Sequence, residues 1–305
     1  MKIPANQLEF EEMFNTEEAC LDYLCSLRWP NGFVCPTCAS IRSWKKDRGR
    51  YECMDCNAET TITSGTIFHK TTKPLQFWFR AIWWMVAQKN GVSAKGLQKI
   101  LGLGSYQTSW LWLHKFRRLM VLSGRSKLRG IVEVDEVLVG GKVSGKRGRG
   151  AEGKSLVAVA VEVKGRKTGR VRLAKITDAS SETLTKFILN NIEKSTTIIT
   201  DGWPSYNEIS KMGYSHKVQK STVKDDGEEV LPNVHRIASL LKRWLLGTHQ
   251  SYLNKNKLEY YLDEYVFRYN RRTSTSRGLL FYRLIEQGAI SKPITYKEIT
   301  NQNHG

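Results

Sequence analysis

The 305-residue sequence predicts an α/β chain built on one mixed sheet, preceded by a cysteine-bearing ribbon and a helical region. Three observations predict it. All six cysteines fall before residue 57, four of them in the pairs "CPTC" (35–38) and "CMDC" (53–56). Residues 73–122 place apolar side chains at helical spacing. From about 128 onward, β-branched runs give way to alternating helix and strand patterns.

With 40% hydrophobic residues the chain can bury a sizeable core. The net charge of +19 is spread along the chain instead of being confined to one tail, which favours a polyanionic partner. A phosphate backbone gains affinity from such a surface by releasing counterions, whereas an anionic membrane calls for an amphipathic helix or a polybasic end. Nucleic acid is therefore the expected partner. No apolar run is long enough to span a bilayer, and residues 1–30 carry several acids and no secretory h-region, so a cytoplasmic location without membrane contact is expected.

Residues 1–28 read as an acidic helical lead-in, with Thr16-Glu17-Glu18 starting a helix before Cys20, Leu21, Leu24 and Leu27. Cys20 and Cys25 read as small buried residues on its apolar face. In residues 29–68, two Cys-x-x-Cys turns with strand-like stretches between and after them describe a zinc ribbon. The two-residue spacer lets both sulfurs of one turn reach one ion, so Cys35, Cys38, Cys53 and Cys56 are the expected structural zinc ligands.

Residues 73–122 read as three helices. Pro74 suits a first helical turn, Asn90-Gly91 ends the first helix and Ser93 caps the second. A short helix, a glycine-containing turn and a third helix starting near Ser105 make a helix-turn-helix pattern; a three-helix bundle without a DNA role is the plain alternative. Trp78, Trp83, Trp84, Trp110 and Trp112 read as its core, not as base-stacking platforms.

From 128 to 290 a mixed-sheet domain is expected, with strands in "GIVEVDEVLVGG", "SLVAVAVEV" and "GRVRLAKIT", a helix in "SSETLTKFILNNIEK", a strand in "STTIIT", a helix after "DGWPSY", a brief strand near "YSHKVQ", and helices over 233–246 and 254–271. Residues 291–305 read as a flexible tail. The octet "GRGAEGKS" (148–155) fits a phosphate-loop pattern, but a working loop follows a buried strand and opens a helix. This octet follows a basic hydrophilic stretch and leads into a strand. It reads instead as part of a cationic turn, with Lys142, Lys146, Arg147, Arg149 and Lys154 suited to lying along a phosphate backbone.

Carboxylates at strand ends are the better candidates for chemistry. Alternation puts Glu133 and Asp135 on one face of "VEVDEV" and Val132 and Val134 on the other, aiming an ionised group out of an apolar sheet edge. Asp201 stops "TTIIT" at a carboxyl end, where ligands bind in open α/β sheets. Either acid alone also suits a turn or a cap; the pair suggests a divalent metal such as Mg²⁺, which takes hard oxygen ligands. On "NVHRIASLLKRWLLGTH", His235, Ser239 and Lys242 share one helix face, able to present a ligand and a cation to one phosphate.

Taken together, "CPTC…CMDC", "VEVDEVLVGGK", "GRGAEGK", "ITDGWPSY", "HRIASLLKRWLLGTH" and "LEYYLDEYVFRYNRR" resemble, in order and over residues 29 to about 285, the insertion-sequence transposases of the DDE superfamily, in the bacterial group with an N-terminal zinc ribbon. The resemblance implies an RNase H-like catalytic fold. It matches the first two catalytic acids to Asp135 and Asp201, and a lysine beyond the third catalytic residue to Lys242. Where many members carry Glu at the third position this sequence has His235, an imidazole that tilts preference from Mg²⁺ toward Mn²⁺. Glu259 and Glu264 could compete for that place, though each can pair with Arg268, Arg271 or Arg272 on the same helix. The expected activity is binding of inverted repeats, metal-dependent strand cleavage and strand transfer, with Arg243, Arg268, Arg271 and Arg272 on the DNA backbone and a homodimer or larger assembly on DNA. The rivals are a DNA-binding protein of the same descent without activity and a nucleotide-driven motor.

Overall fold

The computed structural model describes residues 2–121, 124–140, 154–219, 230–249 and 255–301. They form two compact units, Met1–Met120 with Ser274–Gly305, and Val121–Thr273. Among the described residues no helix is long and apolar enough to cross a membrane.

The N-terminal unit opens with α1 (Gln7–Met13) and α2 (Glu17–Arg28), started by Asn6 and Thr16, whose side chains accept the N–H groups of Glu9 and Ala19. An antiparallel sheet of β1 (Ser43–Lys45), β2 (Arg50–Cys53) and β3 (Glu59–Thr61) carries the cysteine turns. Three helices follow: α3 (Leu75–Ala87), α4 (Ala94–Leu101) and α5 (Tyr106–Leu119). Pro74 stands at the N-cap, one residue before the expected first turn, and brings no capping side chain. Glu17 caps α3 instead, accepting the N–H of Leu75 at 2.7 Å and of Gln76 at 3.1 Å. Trp78, Trp83 and Trp112 are buried, and Trp78 stacks on Trp112 with ring centroids 4.2 Å apart, a core role.

The second unit contains β4 (Ile131–Val139), β5 (Ser155–Lys164), β6 (Lys167–Ile176), α6 (Ser181–Asn191), β7 (Thr197–Thr200), a 3-10 helix over Pro204–Met212, β8 (Ser215–Val218), α7 (Pro232–His249) and α8 (Leu258–Asn270). The sheet order is β6-β5-β4-β7-β8, antiparallel across β6-β5-β4 and parallel across β4-β7-β8, the mixed sheet expected of an RNase H-like domain. Both faces are covered. Val132, Val134, Ala158 and Ala160 pack with Leu184, Phe187 and Ile188 of α6, while Val157, Val159 and Val161 pack with Val234, Ile237 and Leu241 of α7 and Leu262 and Val266 of α8. The Val/Ala alternation of β5 thus serves two layers at once. β4 is central, so the expected sheet-edge position of Asp135 is corrected: the acid rises from the middle of the sheet.

The chain then returns to the first unit with α9 (Arg277–Ile290) and α10 (Tyr296–Asn301). The second unit therefore ends at Thr273, not near 290. Phe281 explains this: its ring lies 5.3–5.8 Å from those of Phe10, Phe14, Phe79 and Trp83, an aromatic core that the N-terminal helices cannot close alone. Gly278 permits the approach, since a Cβ there would sit 1.7 Å from the Pro4 carbonyl oxygen. The expected flexible tail is likewise corrected over 296–301, where α10 buries Ile299.

Candidate active site

In the ribbon, the ligand atoms of Cys35, Cys38, Cys53 and Cys56 all lie within 4.8 Å of one another. Cys35 Sγ is 3.6 Å from Cys56 Sγ, and Cys38 Sγ is 3.5 Å from Cys53 Sγ. A tetrahedral site with Zn–S near 2.3 Å has edges of about 3.8 Å, so the donor set fits zinc. The two turns repeat one construction. Ala39 and Asn57 follow each pair in left-handed conformation, φ 60° and 56°, and donate N–H to the carbonyls of Cys35 and Cys53 at 3.0 Å. The N–H groups of Thr37 and Asp55 point to Cys35 Sγ and Cys53 Sγ at 3.4 Å. Burial pushes the Cys53 thiol up, yet the N–H groups of Asp55 and Cys56 with the neighbouring thiols outweigh it and hold the group at about 6, favouring the thiolate that binds metal.

The second unit assembles its own constellation. β4 and β7 pair in parallel as Ile131↔Thr197, Val132↔Ile198 and Glu133↔Ile199, and Asp135 and Asp201 each follow two residues beyond that last pair. Both belong to the face that α7 covers, where Ile199 packs. Asp201 ends its strand and turns the chain, accepting the Trp203 N–H at 2.9 Å while Gly202 takes φ 87°. Glu133, two residues before Asp135 on that face, is buried and accepts the N–H groups of Asn233 and Val234 at 2.9 and 3.0 Å. It thereby anchors the first turn of α7, which carries His235.

Electrostatics agree with this convergence. Burial, reinforced by Glu136 and Asp201, pushes the Asp135 carboxyl up to about 6, against the pull of the Glu136 N–H and His235. Among the described residues, the four cysteines are the one group of three or more potential metal ligands within 4.8 Å of each other. Asp135, Asp201 and His235 are thus brought into electrostatic reach, not into shared coordination distance; a common cation requires their side chains to turn inward. As a donor set, two carboxylates and an imidazole fit a divalent cation.

Lys242 and Arg243 are exposed on α7, Lys242 on the same face as His235. The three arginines of α8 and the turn after it have structural engagements. Arg268 pairs with the fully buried Glu264 at 2.8 Å, which gives both side chains a structural engagement within α8. Arg271 lies over Phe267, and Arg272 lies over Tyr269 and donates to the carbonyls of Thr168 and Gly169. Lys154 is half-buried just before β5, and Ser155 opens that strand instead of a helix, against a phosphate loop. Lys142, Lys146, Arg147 and Arg149 lie outside the described residues.

Two contributors escape a reading of the sequence, Glu136 and Tyr206, while Glu133, already placed on the face of Asp135, gains its role as the anchor of α7 only in the structure. Tyr206 is fully buried and donates its hydroxyl to Glu136 at 2.8 Å, on the face opposite Asp135. The tyrosine of "DGWPSY" was the available signal, since a buried hydroxyl needs a partner.

Residues 127–270 match the family model of the ISXO2-like transposase domain, and residues 15–59 that of the transposase zinc-ribbon domain. The chain is also similar, at 28% identity over 279 residues, to a protein of Halobacterium salinarum described as an uncharacterized protein in transposable element ISH50. That alignment covers 84% of this chain and 91% of the relative.

Proposed function

We propose that this chain is an insertion-sequence transposase of the DDE superfamily that binds the ends of its element and catalyses metal-dependent strand cleavage and strand transfer, a reading supported by its matches to the ISXO2-like transposase domain and the transposase zinc-ribbon domain. The observation that supports the reading is that Asp135 and Asp201, each two residues beyond the last pair of the β4–β7 ladder, act on one another electrostatically together with His235 of α7. Asp135, Asp201 and His235 would hold a divalent cation, which would supply Lewis acidity for phosphoryl transfer.

The residues themselves position the DNA. Lys242, about two turns beyond His235 on an exposed helix face, holds a phosphate, and Arg243 beside it contacts the backbone. Water attacks the phosphodiester at the element end, the P–O3′ bond breaks, and a 3′-OH is released. That hydroxyl then attacks a target phosphodiester, forming one P–O bond as another breaks, with its proton passing to solvent. Each step exchanges bonds of similar energy, so no nucleotide cofactor is required. Joining two ends calls for a dimer or larger assembly on DNA.

The test joins a labelled duplex end, carrying the sequence that flanks the gene, to plasmid DNA with Mg²⁺ or Mn²⁺. Wild type is expected to join it, and Asp135→Asn and Asp201→Asn are expected to fail. Equal joining by wild type and Asp135→Asn refutes the reading. A folded wild type that binds DNA without joining it supports the second reading, a DNA-binding protein that lost activity, which the replacement of an acid by His235 favours.

A further inference from the structure

Charge is spread unevenly along this chain. Residues 1–59 carry ten aspartates and glutamates against seven lysines and arginines, a net charge of −3, so residues 60–305 carry +22 within the total of +19. The acidic stretch contains the whole zinc-ribbon match. A surface that grips a phosphate backbone needs cations able to displace its counterions, and in the ribbon these are engaged with acids. Arg42 pairs with Asp55, Lys45 with Asp22, and Lys46 with both Glu52 and Glu59.

The ribbon sheet turns one face inward and leaves the other bare. Ser43 pairs with Cys53 and Lys45 with Tyr51, and Cys53 and Tyr51 are buried in the ribbon core. Alternation turns the intervening positions the other way, and the registers Trp44↔Glu52 and Glu52↔Glu59 lay one row across all three strands, an indole followed by two carboxylates. Met54 extends this face, its N–H donating to the Arg42 carbonyl at 3.1 Å. At the first cysteine turn, Val34 and Ile41 flank the bond from the Cys35 N–H to the Ser40 carbonyl. Trp44 stands 64% exposed and Ile41 76%, with Val34 and Met54 exposed as well. Tryptophan is on average a highly buried residue, so its exposure among other apolar side chains marks a contact surface.

An aromatic anchor rimmed by carboxylates fits a protein partner with a cationic surface, because aromatic residues concentrate in interface cores and opposite charge steers the approach. The chain itself offers that surface. Two copies repel one another through their like charge, and the repulsion turns to attraction where the acidic stretch of one meets the strongly basic remainder of the other. Twofold symmetry allows the contact to be made twice, each ribbon on the opposite copy.

We propose that the outer face of the ribbon, centred on Trp44 with Glu52 and Glu59, docks onto the cationic surface of a second copy of this chain. The transposase reading supplies a use for such a dimer; the surface does not depend on it.

The full-length zinc-loaded protein is followed by sedimentation velocity over a range of concentrations, without DNA or added divalent cation. Wild type forms a concentration-dependent dimer. Trp44→Ala raises the dissociation constant on the order of ten- to a hundredfold, and Glu59→Lys raises it too. Both side chains are exposed, so zinc content and melting temperature stay unchanged. In a mixture of isotopically light and heavy copies, a zero-length carboxylate–amine cross-linker joins acids of residues 1–59 on one copy to lysines beyond residue 60 on the other. A wild type that remains monomeric, a Trp44→Ala dimer as tight as wild type, or mixed-isotope links that leave out the ribbon acids each overturn the proposal. A Trp44→Ala protein that keeps its self-association and loses affinity for duplex DNA assigns the face to nucleic acid and overturns it as well. Strand transfer by a protein that never dimerises sinks this surface and leaves the transposase reading standing. A Trp44-dependent dimer that joins no ends does the reverse.

Discussion

Glu133 and Asn233 meet across a separation of 100 residues, the carboxylate accepting the asparagine backbone N–H at 2.9 Å and its side-chain amide at 2.6 Å. With the Val234 N–H at 3.0 Å, one acid of the central strand satisfies the free donors that begin α7. The same contact sets His235 near Asp135, because Glu133 and Asp135 share a strand face while Asn233 and His235 share a helical turn. Glu133→Ala is expected to cost about 2–4 kcal/mol in denaturant unfolding, with Glu133→Gln recovering part of it. Identical midpoints for wild type and Glu133→Ala would mean that α7 is held by its apolar face alone.

Asp135 is held against its own ionisation. Its carboxyl is raised from 3.8 to about 6, first by burial and then by Glu136 and Asp201. A raised acid binds its proton more tightly in the folded than in the unfolded chain. Its stabilising contribution is therefore complete below the unfolded value and is lost as pH rises through about 6. At neutral pH the ionised group costs about 3 kcal/mol relative to the unfolded chain. In metal-free buffer, Asp135→Asn should melt higher than wild type at neutral pH and lose that advantage in acid. Added Mg²⁺ should stabilise wild type and not the variant. An Asp135→Asn protein less stable than wild type at neutral pH contradicts the clustering of these charges.

The ribbon core is small: Phe33, Cys35, Tyr51 and Cys53, with Cys25, Trp29 and Ala58 against it. So little apolar burial needs a metal to order it. Purified protein should carry one zinc per chain by elemental analysis, and Cys53→Ser should carry almost none. Chelation should abolish protection of β1–β3 amides from hydrogen exchange while leaving the sheet of the other unit protected. Protection that persists after chelation would assign these turns a metal-independent fold.

Arg268 offers a contrast between structural and DNA-contacting cations. Its partner Glu264 is fully buried, and removing one member of a buried pair leaves the other charge uncompensated. Arg268→Ala should destabilise the protein by about 3–5 kcal/mol, whereas Arg243→Ala should leave stability nearly unchanged and weaken DNA binding. A stable Arg268→Ala protein with reduced DNA affinity would return this side chain to the DNA surface.

The zinc ligands, the helices and the strands were legible in the sequence because each is written in short-range terms. Two cysteines two residues apart describe a knuckle, and the Val/Ala alternation of "VAVAV" describes a strand buried on both sides. Asp135 was legible as an acid within a strand, Asp201 as a strand-end acid, and the run from Pro232 to His249 as a helix with His235, Ser239 and Lys242 on one face. What could not be read locally was who would meet whom. Phe281 completes a core begun by Phe10, and Glu17 caps a helix 58 residues away. Arg268 looks like any surface arginine until Glu264 is seen to be buried.

Alone, the amino-acid order determined which residues form knuckles, strands and helices, and which face each side chain takes, since periodicity is a property of neighbouring backbone dihedrals. Tertiary structure decided that Asp135 stands on a central strand in electrostatic reach of Asp201, and that Glu133 ties α7 above them. Strand order and helix docking are chosen by burying one apolar face against another, and no local pattern specifies the partner across such a distance.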